Sequence, residues 1–71
     1  MINTDALREA INKSGRSMNY VAEALKISRG ALYDKMTGST EFKASEISTL
    51  YKLLDLELDD ISRIFFNRKV N

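Results

Sequence analysis

The chain has 71 residues, 44% apolar and 30% charged, with a formal net charge of +1. That length holds one small domain, which buries only about 60% of its unfolded surface, and the apolar-to-charged balance is that of a globular protein, not a disordered one. Cysteine and histidine are both absent, which excludes a disulfide framework, a thiolate or imidazole metal site and the commonest general base.

The opening stretch, MINTDALREAINK, is charged every few residues and does not read as a signal peptide. No apolar run approaches the ~20 residues that span a bilayer, so a cytoplasmic protein is expected. There is no proline, and the only glycines are Gly15, Gly30 and Gly38. β-Branched residues show no period-two alternation, which leaves helix as the reading throughout. Thr4 or Asp5 caps a first helix running to about Ser14, with Ala6, Leu7, Ala10 and Ile11 on its inner face. Gly15 ends it, just after Lys13 in the last turn. Ser17 caps a second helix, 18–25, burying Met18, Val21, Ala22 and Leu25, and Ser28 caps a third, 29–36, burying Leu32 and Met36. Residues 37–43, TGSTEFK, form a loop that turns at Gly38 and Ser39. A fourth helix, 44–54, buries Ile47, Leu50, Leu53 and Leu54, and a fifth, 58–66, buries Leu58, Ile61, Ile64 and Phe65. A short polar tail, 67–71, follows. The expected fold is all-α: one domain, 1–71, built as a compact bundle of five short helices.

The second and third helices are the informative pair. Only Lys26, Ile27 and Ser28 separate them, too short a connection to lay them flat against each other, and the steep crossing that remains is the geometry of a helix-turn-helix over about 18–36. Ala22 is small where the helices cross, and Ile27 is apolar where the turn needs a plug. Ser28 puts a hydroxyl at the start of the third helix, an end that suits phosphate.

The segment SMNYVAEALKISRGALYDKMTGS resembles the helix-turn-helix of the phage Cro and repressor family, the XRE type. Ser17, Met18, Val21, Ala22, Lys26, Ile27, Ser28 and Leu32 stand at the pattern's positions. Residues 41–66, EFKASEISTLYKLLDLELDDISRIFF, are similar to the second half of small Cro-like proteins of temperate phages of Gram-positive bacteria. The chain also resembles the modulator-of-repression type of lactococcal phage protein, which is Cro-sized and works with a phage repressor. The resemblance covers about residues 5–66 and implies a repressor-like fold and a target of double-stranded operator DNA, a phage repressor protein, or both. Three residues depart from the family pattern. Met18 replaces the usual glutamine. Lys26 replaces a turn glycine, at a strain of roughly 1–2 kcal/mol if the position is left-handed, though a lysine there could still face a phosphate. Gly30 stands where a base-reading side chain is common, so either it lets the helix backbone press close to a groove floor or the reading surface is depleted because DNA is not the main target.

Arg29, in the first turn of the third helix, is the candidate base reader, since arginine pairs bidentately with guanine O6 and N7. The alternative is a solvated arginine, or one paired with Asp34. Tyr33 can touch a phosphate or a thymine methyl, or pack half-buried. Asp34 can accept from cytosine N4, or is a plain surface charge. Ser17, Arg16, Lys35, Ser39 and Lys43 are placed to hold the backbone on either side, or are ordinary solvated residues.

Charge is uneven along the chain. Residues 1–43 carry Arg8, Lys13, Arg16, Lys26, Arg29, Lys35 and Lys43 against Asp5, Glu9, Glu23, Asp34 and Glu41. Residues 44–66 carry Lys52 and Arg63 against Glu46, Asp55, Glu57, Asp59 and Asp60, and the tail adds Arg68 and Lys69. So few spare cations give weak non-specific DNA binding by a monomer, and a homodimer or a partner protein is expected to assist. Tyr33, Glu46, Asp55, Glu57, Asp59, Asp60 and Phe66 are the candidate partner surface. Phe66 is either an exposed anchor or folds back over the first helix. An enzyme is not expected: no nucleophile–base pair or Gly-rich phosphate loop is present. Asp59 and Asp60 are helix neighbours pointing about 100° apart, so they do not form a catalytic pair. No cofactor, metal, membrane or small-molecule substrate is implied.

Overall fold

A computed structural model describes residues 2–66 of the chain. Five α-helices follow one another: α1 Thr4–Ser14, α2 Met18–Ala24, α3 Arg29–Thr37, α4 Ala44–Leu53 and α5 Leu58–Ile61. α5 continues into a π-helical turn, Ser62–Phe66. No strand occurs among the described residues, and none of their helices is long and apolar enough to cross a membrane. The all-α bundle expected from the sequence is the fold observed. The expected tail, 67–71, with Arg68 and Lys69, lies outside the described residues.

Leu7, Ile11, Val21, Leu32, Met36, Leu50 and Ile64 are wholly enclosed, and Ala6, Ala22, Leu25 and Leu54 complete the core. These residues lie at i, i+3 and i+4 spacings, so each of α1 to α4 turns apolar residues inward. α1 is the strut that joins the chain's two ends. Asn3 N–H donates to the Ile64 carbonyl (2.7 Å), and the Thr4 hydroxyl donates to the Met36 carbonyl. That second bond changes the expected cap. Thr4 is occupied by α3, so Asn3 caps α1 instead, its Oδ1 accepting from Ala6 N–H at 3.1 Å.

Ser17 and Ser28 cap α2 and α3 as expected, accepting from Tyr20 and Ala31 N–H, each at 3.0 Å. α4 ends one residue early, at Leu53. The last helix differs more. Regular helix stops at Ile61, and Leu58, expected inside, is 75% exposed. Leu58 opens α5 before the chain has reached the core, and the wider π-turn then rotates Ile64 inward. Ile47 and Ile61, also expected inside, are only half-buried.

One ion pair lies in this interior. Lys35 Nζ of α3 meets Glu46 Oε1 of α4 at 3.0 Å, with both side chains almost enclosed. The same ammonium donates to the Glu41 carbonyl at 3.1 Å and stands 6.0 Å from the Phe42 ring centre. Glu46 Oε1 also accepts Lys43 N–H at 2.8 Å, which closes the start of α4. Burial alone raises the Glu46 pKa. The Lys43 N–H, the Lys35 hydrogen bond and the charges of both lysines more than reverse that, and the group titrates below its ordinary 4.5. A carboxyl with a lowered folded pKa contributes stability above its unfolded value and loses it as pH falls through the folded one. Thermal unfolding followed by circular dichroism is therefore expected to show a midpoint that falls below about pH 4.5. In Glu46→Gln, that acid-side fall becomes shallower.

Candidate nucleic-acid interface

The turn after α2 is built from backbone hydrogen bonds. Lys26 N–H donates to the Glu23 carbonyl and Ile27 N–H to the Ala22 carbonyl, each at 3.0 Å. This double closure is a Schellman motif, and it puts its central residue in the left-handed region. That residue is Lys26, at φ 61°, so the strain anticipated for a non-glycine turn is present. Ile27 then packs against the core, and Ser28 begins α3.

Burying Leu32 and Met36 fixes which side of α3 faces out. Arg29, Gly30, Tyr33, Asp34 and Thr37 form an exposed stripe at i, i+1, i+4, i+5 and i+8. Tyr33 is 56% exposed, and the half-buried packing role open to it is not the one it has. Arg29 makes no ion pair with Asp34, so both groups face outward uncommitted among the described residues. The Ser17 and Ser28 oxygens each accept a capping bond, which leaves each hydroxyl proton able to donate to a phosphate oxygen. Ser39 is exposed, its hydroxyl 3.5 Å from that of Thr37. Lys43 is exposed ahead of α4.

Gly30 has helical backbone, not the positive φ that calls for glycine. A Cβ added there would meet only Ser28 Oγ, at 4.0 Å. Among the described residues nothing requires glycine there.

Two expected contacts are withdrawn from the surface. Lys35, expected to hold a DNA phosphate, points inward to Glu46. Glu46, expected on an acidic docking face, is 8% exposed because Lys35 and the start of α4 hold it there. Of the remaining acids, Asp60 is engaged locally, accepting Glu57 N–H and the Arg63 guanidinium, each at 2.9 Å. The Glu57 N–H first, and Arg63 next, lower its pKa. Asp55, Glu57 and Asp59 stay exposed. Phe66 is 56% exposed, so it does not fold back over the first helix. It rims a groove of about 310 Å³ with Ile2, Phe42, Ile47 and Phe65. Phe42 and Phe65 meet edge to face at 5.4 Å.

Sequence reasoning overlooked Tyr20, whose exposed ring carries the Arg16 guanidinium 4.9 Å from its centre. The i, i+4 spacing of an arginine and a tyrosine on one helix start was the available signal. No cluster of three or more metal-capable side chains occurs among the described residues.

The architecture defines a small all-α protein whose α2–turn–α3 unit presents an exposed outer stripe. Residues 6–68 match a family model described as Protein of unknown function (DUF739), and the chain belongs to that family. No curated protein and no solved structure matches it.

The two lysines offered as phosphate contacts are expected to separate in chemical denaturation. Lys35→Ala strands a nearly buried carboxylate and destabilises by about 1–3 kcal/mol. Lys43→Ala, which removes an exposed side chain whose charge is the least of the influences on Glu46, stays within about 0.5 kcal/mol of the parent.

Proposed function

We propose that this protein is a Cro-like phage transcriptional regulator that binds operator DNA through α2, the turn and α3, and acts in a lysis–lysogeny switch in the cytoplasm. It is not an enzyme in this reading. α3 enters the major groove with Arg29 reading a base edge. Tyr33, Asp34, Ser17, Ser28, Ser39 and Lys43 complete the contact.

The observation that carries this reading is Gly30. Glycine costs a helix up to roughly 0.5–1 kcal/mol relative to alanine, the full amount applying mid-helix, and at Gly30, in the first turn of α3, the fold has space for a methyl group. A helix that keeps glycine in its exposed first turn, next to an arginine that makes no ion pair among the described residues, is suited to close approach by something outside the chain. A groove floor is such a surface, and the neighbouring arginine supplies the specific contact.

A second reading has its own support. With Lys35 neutralised internally by Glu46, the chain is short of free cations for phosphate. The exposed Phe66 borders an apolar groove. An antirepressor that covers a phage repressor's DNA-binding domain would use such features, and Gly30 would then admit a partner's backbone.

Selection of bound duplexes from a random library, followed by titration with and without the repressor encoded beside this protein, separates the two readings. Enrichment of a defined sequence by the protein alone supports DNA binding. No enrichment, together with a one-to-one repressor complex of micromolar affinity or tighter, supports the antirepressor. On an enriched duplex, Arg29→Ala is expected to lose about 1–3 kcal/mol of binding and to relax specificity at one base pair. Gly30→Ala is expected to bind more weakly while unfolding at higher denaturant, by roughly 0.5–1 kcal/mol of added stability.

A further inference from the structure

Each of the first four helices closes on one residue with positive φ: Gly15 at 76°, Lys26 at 61°, Gly38 at 90° and Asp55 at 53°. Glycine takes this conformation without steric penalty, and aspartate visits it readily because its short polar side chain bonds locally. Lysine has neither property. At Lys26 the conformation is imposed by the two hydrogen bonds that close the turn onto Glu23 and Ala22, so the residue sits where glycine would be relaxed. The side chain returns nothing to the fold. It is exposed and makes no ion pair or hydrogen bond among the described residues. Strain kept at an exposed position with no internal use points to an external one.

We propose that Lys26 contacts a backbone phosphate of the bound DNA from the turn between α2 and α3, flanking the groove that α3 enters. This rests on the DNA-binding reading and adds a contact to it. Lys26 lies two residues ahead of the Ser28 cap, outside the α3 stripe of Arg29, Gly30, Tyr33 and Asp34. A base edge is therefore not its target, whereas the strand beside the groove is. Its compact, strongly hydrated ammonium suits a phosphate as a point charge better than it suits bidentate base reading. With Lys35 held by Glu46, Lys26 joins Lys43 as a cation available to phosphate.

The test compares the whole chain with Lys26→Gly, Lys26→Asn and Lys26→Arg. Each is titrated on the selected duplex and on an unrelated duplex at several salt concentrations, and its thermal midpoint is measured. Lys26→Gly is expected to raise the midpoint by roughly 4–8 °C and to weaken both duplexes by the same factor. The slope of log affinity against log salt should become shallower by about 0.9, the value of one phosphate contact. Lys26→Asn, which tolerates the left-handed region without a charge, should show the same slope change, and Lys26→Arg should keep the parent slope. Unchanged affinity and slope in Lys26→Gly and Lys26→Asn would overturn the assignment while leaving DNA binding in place. So would a loss confined to the selected duplex, which would make Lys26 a base reader. If the parent binds neither duplex at low salt, the DNA-binding reading falls and this inference falls with it.

Discussion

The closed turn after each of the first four helices is the constraint on which the rest depends. A chain of 71 residues has few apolar side chains, and it encloses them with helices of 4 to 11 residues. The chain must therefore reverse within a handful of residues each time, and it does so at Gly15, Lys26, Gly38 and Asp55. The turn at Lys26 has the largest consequence. Its two hydrogen bonds send Ile27 inward against the core and leave Ser28 free to cap α3. Once α3 starts at Arg29, its period puts Leu32 and Met36 inside and Arg29, Gly30, Tyr33, Asp34 and Thr37 outside. The outer stripe is a geometric result of a turn whose own residues lie mostly off it.

The far end of α3 is positioned differently. Gly38 closes it, with Ser39 N–H returning to the Asp34 carbonyl at 2.9 Å, and Lys35 then crosses to Glu46 and the Glu41 carbonyl. Enclosed charges are tolerable only when their hydrogen-bonding groups find partners. Here one carboxylate oxygen takes both the Lys35 ammonium and the Lys43 N–H. An ion pair thus docks α3 on the start of α4, with Phe42 alongside. The Thr4 hydroxyl on the Met36 carbonyl ties the same end of α3 to α1. α3 is held at both ends by polar contacts and in its middle by Leu32 and Met36, so its outer face contributes little to the fold and is free to be specialised.

What could be read from the sequence was whatever is decided locally. Ser17 and Ser28 cap because a short hydroxyl side chain reaches the N–H three residues on. Gly15 and Gly38 end helices because they accept positive φ. The stripe of α3 followed from spacing alone, so the outward placement of Arg29, Gly30, Tyr33 and Asp34 was legible too. What was not legible depends on residues distant in sequence. Lys35 and Glu46 lie 11 positions apart, and composition marked both as surface charges. Thr4 meets Met36 across 32 positions, which displaced the cap to Asn3. Leu58 fits a helical stripe, and only the tertiary placement of α5 and the π-turn leaves it outside. The target of the α3 stripe was not legible, because the groups that would bind DNA are also groups that would bind a protein.

Most positions of this chain satisfy local and global demands together, as expected of a sequence that folds to one state. The exceptions differ in kind. Leu58 is a lone exposed apolar residue, which is common on protein surfaces and calls for no account. Asp55 is left-handed but chemically suited to it. Lys26 and Gly30 are different, because each is the less stable choice at its own site and exchanging their characters would relieve both. They flank Ser28 on one end of one helix. A domain of this length is stable by only about 4–11 kcal/mol, so two such positions together consume a noticeable share of the margin. Nothing they touch among the described residues compensates for it. In the proposed reading the compensation comes from outside, because both residues lie where a molecule approaching α3 would first meet the chain.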